Sequence, residues 1–140
     1  MSHLFIEQVN QKPNQAALHV MQGDTPVTYT WGELAEWVWR WTAALARRGV
    51  AMGDRVAHWS ENRVEWVIMD LAIQACGAVH VPLHATLSGQ QAADQIKHSG
   101  ATAVVFASKN NAEALAPHAG AIAQALGKAP AWISYAAVQD

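Results

Sequence analysis

The chain has 140 residues, 51% of them hydrophobic and only 14% charged, with a formal net charge of -2. That length predicts one domain, residues 1–140, with an ordinary hydrophobic core. The charge balance leaves no footprint for nucleic acid, and no apolar run reaches the roughly eighteen residues that a membrane span requires. The single cysteine, Cys76, excludes an internal disulfide and points to the reducing cytoplasm.

Leu4 to Asn10 reads as a short helix stopped by Pro13. Ala17 to Met21 and Val27 to Tyr29 flank the turn cluster Gly23-Asp24-Thr25-Pro26, which predicts a hairpin. Thr30 opens the clearest helix. "TWGE" is a capping box, in which the Thr30 hydroxyl accepts from the Glu33 amide while the Glu33 carboxylate reaches back. Leu34, Trp37, Val38, Trp41, Ala44 and Leu45 recur at helical spacing, and Gly49 ends the helix. Trp37 and Trp41 share a face while Trp39 points elsewhere, so this tryptophan cluster reads as packing rather than a ligand cage.

From Arg55 the chain alternates strand and helix. Strands are expected at Arg55 to Trp59, Ala78 to Leu83, Thr102 to Ala107 and Ala131 to Tyr135. Helices are expected at Arg63 to Ala75, from Ser88 to His98, and from Asn111 to Leu126 with a break at Pro117. Short, uniformly apolar strands suit a parallel sheet covered on both faces. The fold class is therefore α/β: a doubly wound, mostly parallel sheet with helices on both faces, preceded by a helix and a β-hairpin.

Ligands of such sheets sit beyond the C-terminal strand ends. Three loops qualify: Trp59 to Asn62, Leu83 to Thr86, and Ala107 to Asn110. The second is the first choice, because it is small and polar and precedes the helix N-terminus near Ser88. His80 and His84 invite a metal reading, but Pro82 between them forbids a helical pair and no third ligand is in view. His3, His19, His58, His98 and His118 read as unrelated histidines. Ser60, Glu61 and His58 make no triad by closeness alone, and Asp54 and Asp70 form no phosphoacceptor cluster. No GxGxxG, GxxxxGK[ST] or GxSxG occurs.

One ordered set of residues carries a family resemblance. "TYTWGELAEWVWRWTAALARRGVAMGDRVA" supplies Thr28, Tyr29, Leu34, Leu45, Gly49, Gly53, Asp54, Val56 and Ala57. Asn62, Glu65, "GAVHVPL" from Gly77 to Leu83, and glycine and lysine positions before the next strand follow. From Phe5 to Ser108 this resembles the early segment of the AMP-forming adenylating enzymes, which include acyl- and aryl-CoA synthetases. The resemblance implies a large N-terminal domain that binds ATP, Mg²⁺ and a carboxylate, forms an acyl-adenylate, and passes the acyl group to CoA.

The family's phosphate loop, its aromatic-Thr-Glu motif, its ribose-binding aspartate and its C-terminal lysine have no counterpart before Asp140. The resemblance thus implies a truncated N-terminal subdomain, inactive alone, whose partner is the C-terminal remainder of the enzyme. By the same resemblance, the loop His84-Ala85-Thr86 lies on the CoA side, although Ala85 and Thr86 stand where relatives carry glycines. "VPL" followed by a polar residue resembles fatty-acyl or aryl-CoA synthetases. The rival expectation is a stand-alone α/β interaction module that self-associates through apolar surface.

Overall fold

The computed structural model describes residues 3–139. Helix α1 (His3–Gln11) leads into an antiparallel hairpin of β1 (Ala16–Gln22) and β2 (Thr25–Thr30). Helix α2 (Trp31–Arg47) starts at the foreseen capping box: the Thr30 amide donates to Glu33 Oε2 at 2.9 Å, and the Glu33 amide donates to Thr30 Oγ1 at 3.2 Å. Phe5 of α1 packs against Trp31 and Trp39, with ring centroids 6.1 and 6.4 Å apart. Trp41 is buried and Trp39 is 45% exposed, as the helical spacing requires.

Strand β3 (Arg55–Trp59), helix α3 (Val64–Ala75), strand β4 (Val79–Leu83), helix α4 (Gly89–Ser99) and strand β5 (Ala103–Phe106) follow. Helix α5 (Lys109–Leu115), a 3₁₀ turn at Ala116–His118 containing Pro117, helix α6 (Ala119–Leu126) and strand β6 (Ala131–Ser134) complete the layer. The expected last helix is thus two, broken where the proline ring cannot continue the ladder. Tyr135 corrects the sequence reading: it does not end β6 but begins a further helix, α7 (Tyr135–Gln139). Ser134 Oγ accepts from the Ala137 amide at 3.2 Å, a local polar turn that competes with continued strand.

The four strands lie in the order β4-β3-β5-β6 and every pair is parallel. Successive side chains point to opposite faces, so the sheet divides the interior in two. Val56, Ala103, Val105 and Ile133 face α2, α3 and α7. Ala57, Trp59, Leu83 and Val104 face α4, α5 and α6. The second face packs closely: a Cβ added at Gly89 would stand 2.4 Å from the Ala114 carbonyl oxygen.

Candidate functional site

At the C-terminal ends of β3 and β4 a cleft of about 590 Å³ opens, lined by Ser60, Asn62, Trp66, Pro82 to Thr86, and Gln95. The Trp59 indole donates to the His84 carbonyl at 3.1 Å and ties the two strand ends together. All three residues singled out in the second loop, His84, Ala85 and Thr86, therefore border one cavity with Ser60 and Asn62 of the first. Ser108 of the third loop lies elsewhere, capping α5. The cleft sits over β3 and β4, one strand away from the point between β3 and β5 where the crossovers diverge.

The loop bonds heavily to itself. His84 Nδ1 lies 2.8 Å from Thr86 Oγ1 and accepts from the Thr86 amide at 3.3 Å. Ser88 and Gln91 cap the first turn of α4 reciprocally, at 2.9 and 3.2 Å. A ligand meeting this wall finds the outer edge of His84, the Ser60 and Asn62 side chains, and the Trp66 ring.

Behind Trp66 the structure corrects the sequence reading of the histidines. His58 is not an unrelated histidine, and the partner of His80 is His58 rather than His84. His58 Nδ1 lies 2.9 Å from His80 Nε2, and His80 Nδ1 lies 2.8 Å from Asp70 Oδ1. His58 Nε2 lies 2.5 Å from the Tyr135 hydroxyl. Trp66 stacks on His58 with centroids 5.5 Å apart and turns its edge to His80 at 5.3 Å. His84 takes no part, because it lies past the strand end.

Asp70 is an acceptor and fixes the direction of this chain when both rings are neutral. His80 donates from Nδ1 to Asp70, His58 donates from Nδ1 to His80 Nε2, and Tyr135 donates to His58 Nε2. Burial first, then the neighbouring His80, pushes the His58 imidazole down to about 3. Burial also lowers His80, against the pull of the Asp70 carboxylate, so both rings are neutral near pH 7. Burial raises the Tyr135 phenol, while the hydrogen-bonding Ser60 hydroxyl and the Arg63 charge pull it the other way.

Arg63 borders the Tyr135 end of the line. Its guanidinium donates to Glu65 at 2.9 Å and to Glu61 at 3.2 Å, and it stands 5.6 Å from the centroid of the Tyr135 ring. Cys76 is half-buried and burial raises its thiol, consistent with an inert core cysteine. Among the described residues no three His, Cys, Asp or Glu side chains converge on a metal position, and the Asp70–His80–His58 line is no exception. No described helix is long and apolar enough to cross a membrane.

The AMP-binding enzyme family model matches residues 5–136. The chain is 40% identical over 99 residues to the 3-[(3aS,4S,7aS)-7a-methyl-1,5-dioxo-octahydro-1H-inden-4-yl]propanoyl:CoA ligase of Mycobacterium tuberculosis (strain ATCC 25618 / H37Rv), covering 71% of this chain and 18% of that ligase. It is 40% identical over 87 residues to the long-chain-fatty-acid–CoA ligase FadD15 of Mycobacterium bovis (strain ATCC BAA-935 / AF2122/97), covering 62% of this chain and 13% of that ligase. The N-terminal domain of FACL13 from Mycobacterium tuberculosis superposes with a TM-score of 0.82 at 23% identity, over 97% of this chain and 33% of that one. The chain thus spans less than a fifth of the length of these two curated relatives.

Proposed function

The chain belongs to the AMP-binding enzyme family and corresponds to the N-terminal portion of the AMP-forming adenylating enzymes, and from that premise we propose that it serves an acyl-CoA ligase. The reaction joins a fatty or aryl carboxylate to CoA and converts ATP to AMP and pyrophosphate. The observation that carries this reading is the family match over residues 5–136, together with two relatives whose names specify CoA ligation.

Within that reaction these 140 residues supply scaffold and one wall of the site, and the enzyme works in the cytoplasm. Adenylation depends on preorganised positive charge around the transferring group. A glycine-rich phosphate loop with its lysine supplies such charge, and this sequence contains none. ATP and Mg²⁺ are therefore held by other parts of the enzyme. The wall lined by His84, Ala85 and Thr86 faces the CoA side. Its polar groups and the adjacent Trp66 ring suit a ligand that both hydrogen-bonds and stacks.

Carboxylate-dependent ATP–pyrophosphate exchange tests the division of labour. The purified 140-residue chain is expected to show none above background. Exchange by a homogeneous preparation would overturn the assignment of this segment to scaffold.

A further inference from the structure

The buried line Tyr135–His58–His80–Asp70 draws its members from α7, β3, β4 and α3, so no local turn accounts for it. Its exposure is graded. His58 is fully buried and Tyr135 is 2% exposed, whereas the His80 and Asp70 side chains are 10% and 25% exposed. One end thus meets solvent. The other end meets the cleft through Ser60, which is 3% exposed, lines the cavity and lies beside the Tyr135 phenol.

Buried polar side chains cost stability relative to well-packed apolar ones. A hydrogen-bonded line that runs from solvent to a cleft has a use that apolar packing lacks. We propose that Tyr135, His58, His80 and Asp70 form a one-proton relay that sets the hydrogen-bonding polarity of the cleft floor. With its proton taken up, the cleft receives a hydrogen-bond-accepting, preferably anionic, ligand group.

The proton count closes without a co-reactant. In the resting line each bond points toward Asp70, and the Tyr135 hydrogen is committed to His58. When one proton enters at the Tyr135 oxygen from the cleft, the phenol passes its own hydrogen to His58 Nε2 and His58 passes its Nδ1 hydrogen to His80 Nε2. His80 becomes an imidazolium that donates to Asp70 and to His58 Nδ1, and His58 donates from Nε2 to the Tyr135 oxygen. The hydrogen now on that oxygen turns toward Ser60. The Ser60 hydroxyl now donates to Glu61 O, at 2.8 Å, or into the cleft. No hydrogen bond in the line is lost: the Tyr135–His58 and His58–His80 bonds are reversed, and His80 still donates to Asp70.

Other charges border the line. Glu61 and Arg63 belong to the loop after β3, and Glu65 and Asp70 to α3. The neutral Gln74 amide donates to Asp70 at 2.8 Å. Arg63 is already committed to Glu61 and Glu65, so it does not supply the cleft with a free cation. The relay proton fills that role. This inference stands on the geometry of the chain itself and does not depend on the CoA ligase reading.

The test is a pH titration of the histidine ring nitrogens of the 140-residue chain by long-range ¹H–¹⁵N correlation. Sodium formate serves as the probe anion and sodium chloride, at equal ionic strength, as the control. At neutral pH both rings are expected as Nδ1–H tautomers. On acidification His80 becomes doubly protonated, and His58 switches to Nε2–H in the same transition. Formate raises that midpoint by about half a pH unit, roughly threefold in proton affinity.

Tyr135→Phe, which removes one oxygen, abolishes the formate shift, and so does Ser60→Ala. His58 with its hydrogen on Nε2 at neutral pH would overturn the proposal. So would a transition without tautomer exchange, or no formate shift in the unaltered chain. An equal formate shift in both variants would overturn it as well.

Discussion

The two faces of the sheet are built on opposite plans. Toward α4, α5 and α6 the interior is Ala57, Ala92, Ala93, Ile96, Val104, Leu115 and Ile122, with no buried polar side chain among the described residues. Toward α2, α3 and α7 it is larger and aromatic, and it contains the line from Tyr135 to Asp70. The first face shows what this fold needs to cohere: small residues that let helices approach closely. The second shows polar groups that coherence alone does not call for, placed behind the one tryptophan that borders the cleft.

Three measurements sharpen or break this contrast. The largest effect is expected on the apolar face, where Ile96→Ala opens a cavity at a fully buried position. It should cost about 2–5 kcal/mol in urea unfolding, by the usual large-to-small penalty, and the cost should not vary with pH. A loss under 1 kcal/mol would mean that this face is loosely packed.

On the polar face the signature is pH dependence. His58 titrates at about 3 in the folded chain against an ordinary 6.5. The unfolded chain therefore binds the proton more readily throughout that window. Stability is fully present above about pH 6.5 and falls as the pH drops, by about 4 kcal/mol at pH 3. Replacing His58 by Leu together with His80 by Val and Tyr135 by Phe should flatten this dependence while leaving the chain folded near pH 7. If the triple variant unfolds at neutral pH, the polar line carries the fold after all.

The smallest of the three effects returns to the apolar face. Gly89→Ala pushes a methyl group against the Ala114 carbonyl and should cost about 1–3 kcal/mol, with the urea midpoint as the readout. An unchanged midpoint would show that α5 shifts freely against α4.

Much of the fold was legible because its signals are local. Thr30 with Glu33, the Ser88 cap of α4 and the glycine that ends α2 each act within a few residues, and the Thr30 capping box forms as read. Pro117 broke its helix where the ring requires it. The cleft was half legible: the strand-end rule placed Ser60, Asn62 and His84 to Thr86 at one end of the sheet, but only the strand order showed that the two loops adjoin.

The relay was missed because its partners stand 77, 22 and 10 residues apart, beyond any local pattern. A signal was nevertheless present. "RVAHW" and "AVHVPL" were read as strands covered on both faces, and a histidine inside such a strand needs a hydrogen-bond partner. Tyr135 was misplaced because an apolar run reads as strand until the Ser134 side chain turns the backbone.

The distance between His58 and Tyr135 also has a meaning in time. Strand β3 leaves the ribosome long before its neighbours do: β5 pairs with it some 47 residues later, Val56 with Ala103, and the phenol that satisfies His58 arrives 77 residues later. At roughly 5–20 residues per second, that interval is on the order of 4–15 s of synthesis. During it the nascent strand carries an imidazole whose native hydrogen-bond donor, the Tyr135 hydroxyl, does not yet exist. Water serves as the stand-in at His58 Nε2 until then. The last helix of this segment therefore supplies the partner that completes the buried line.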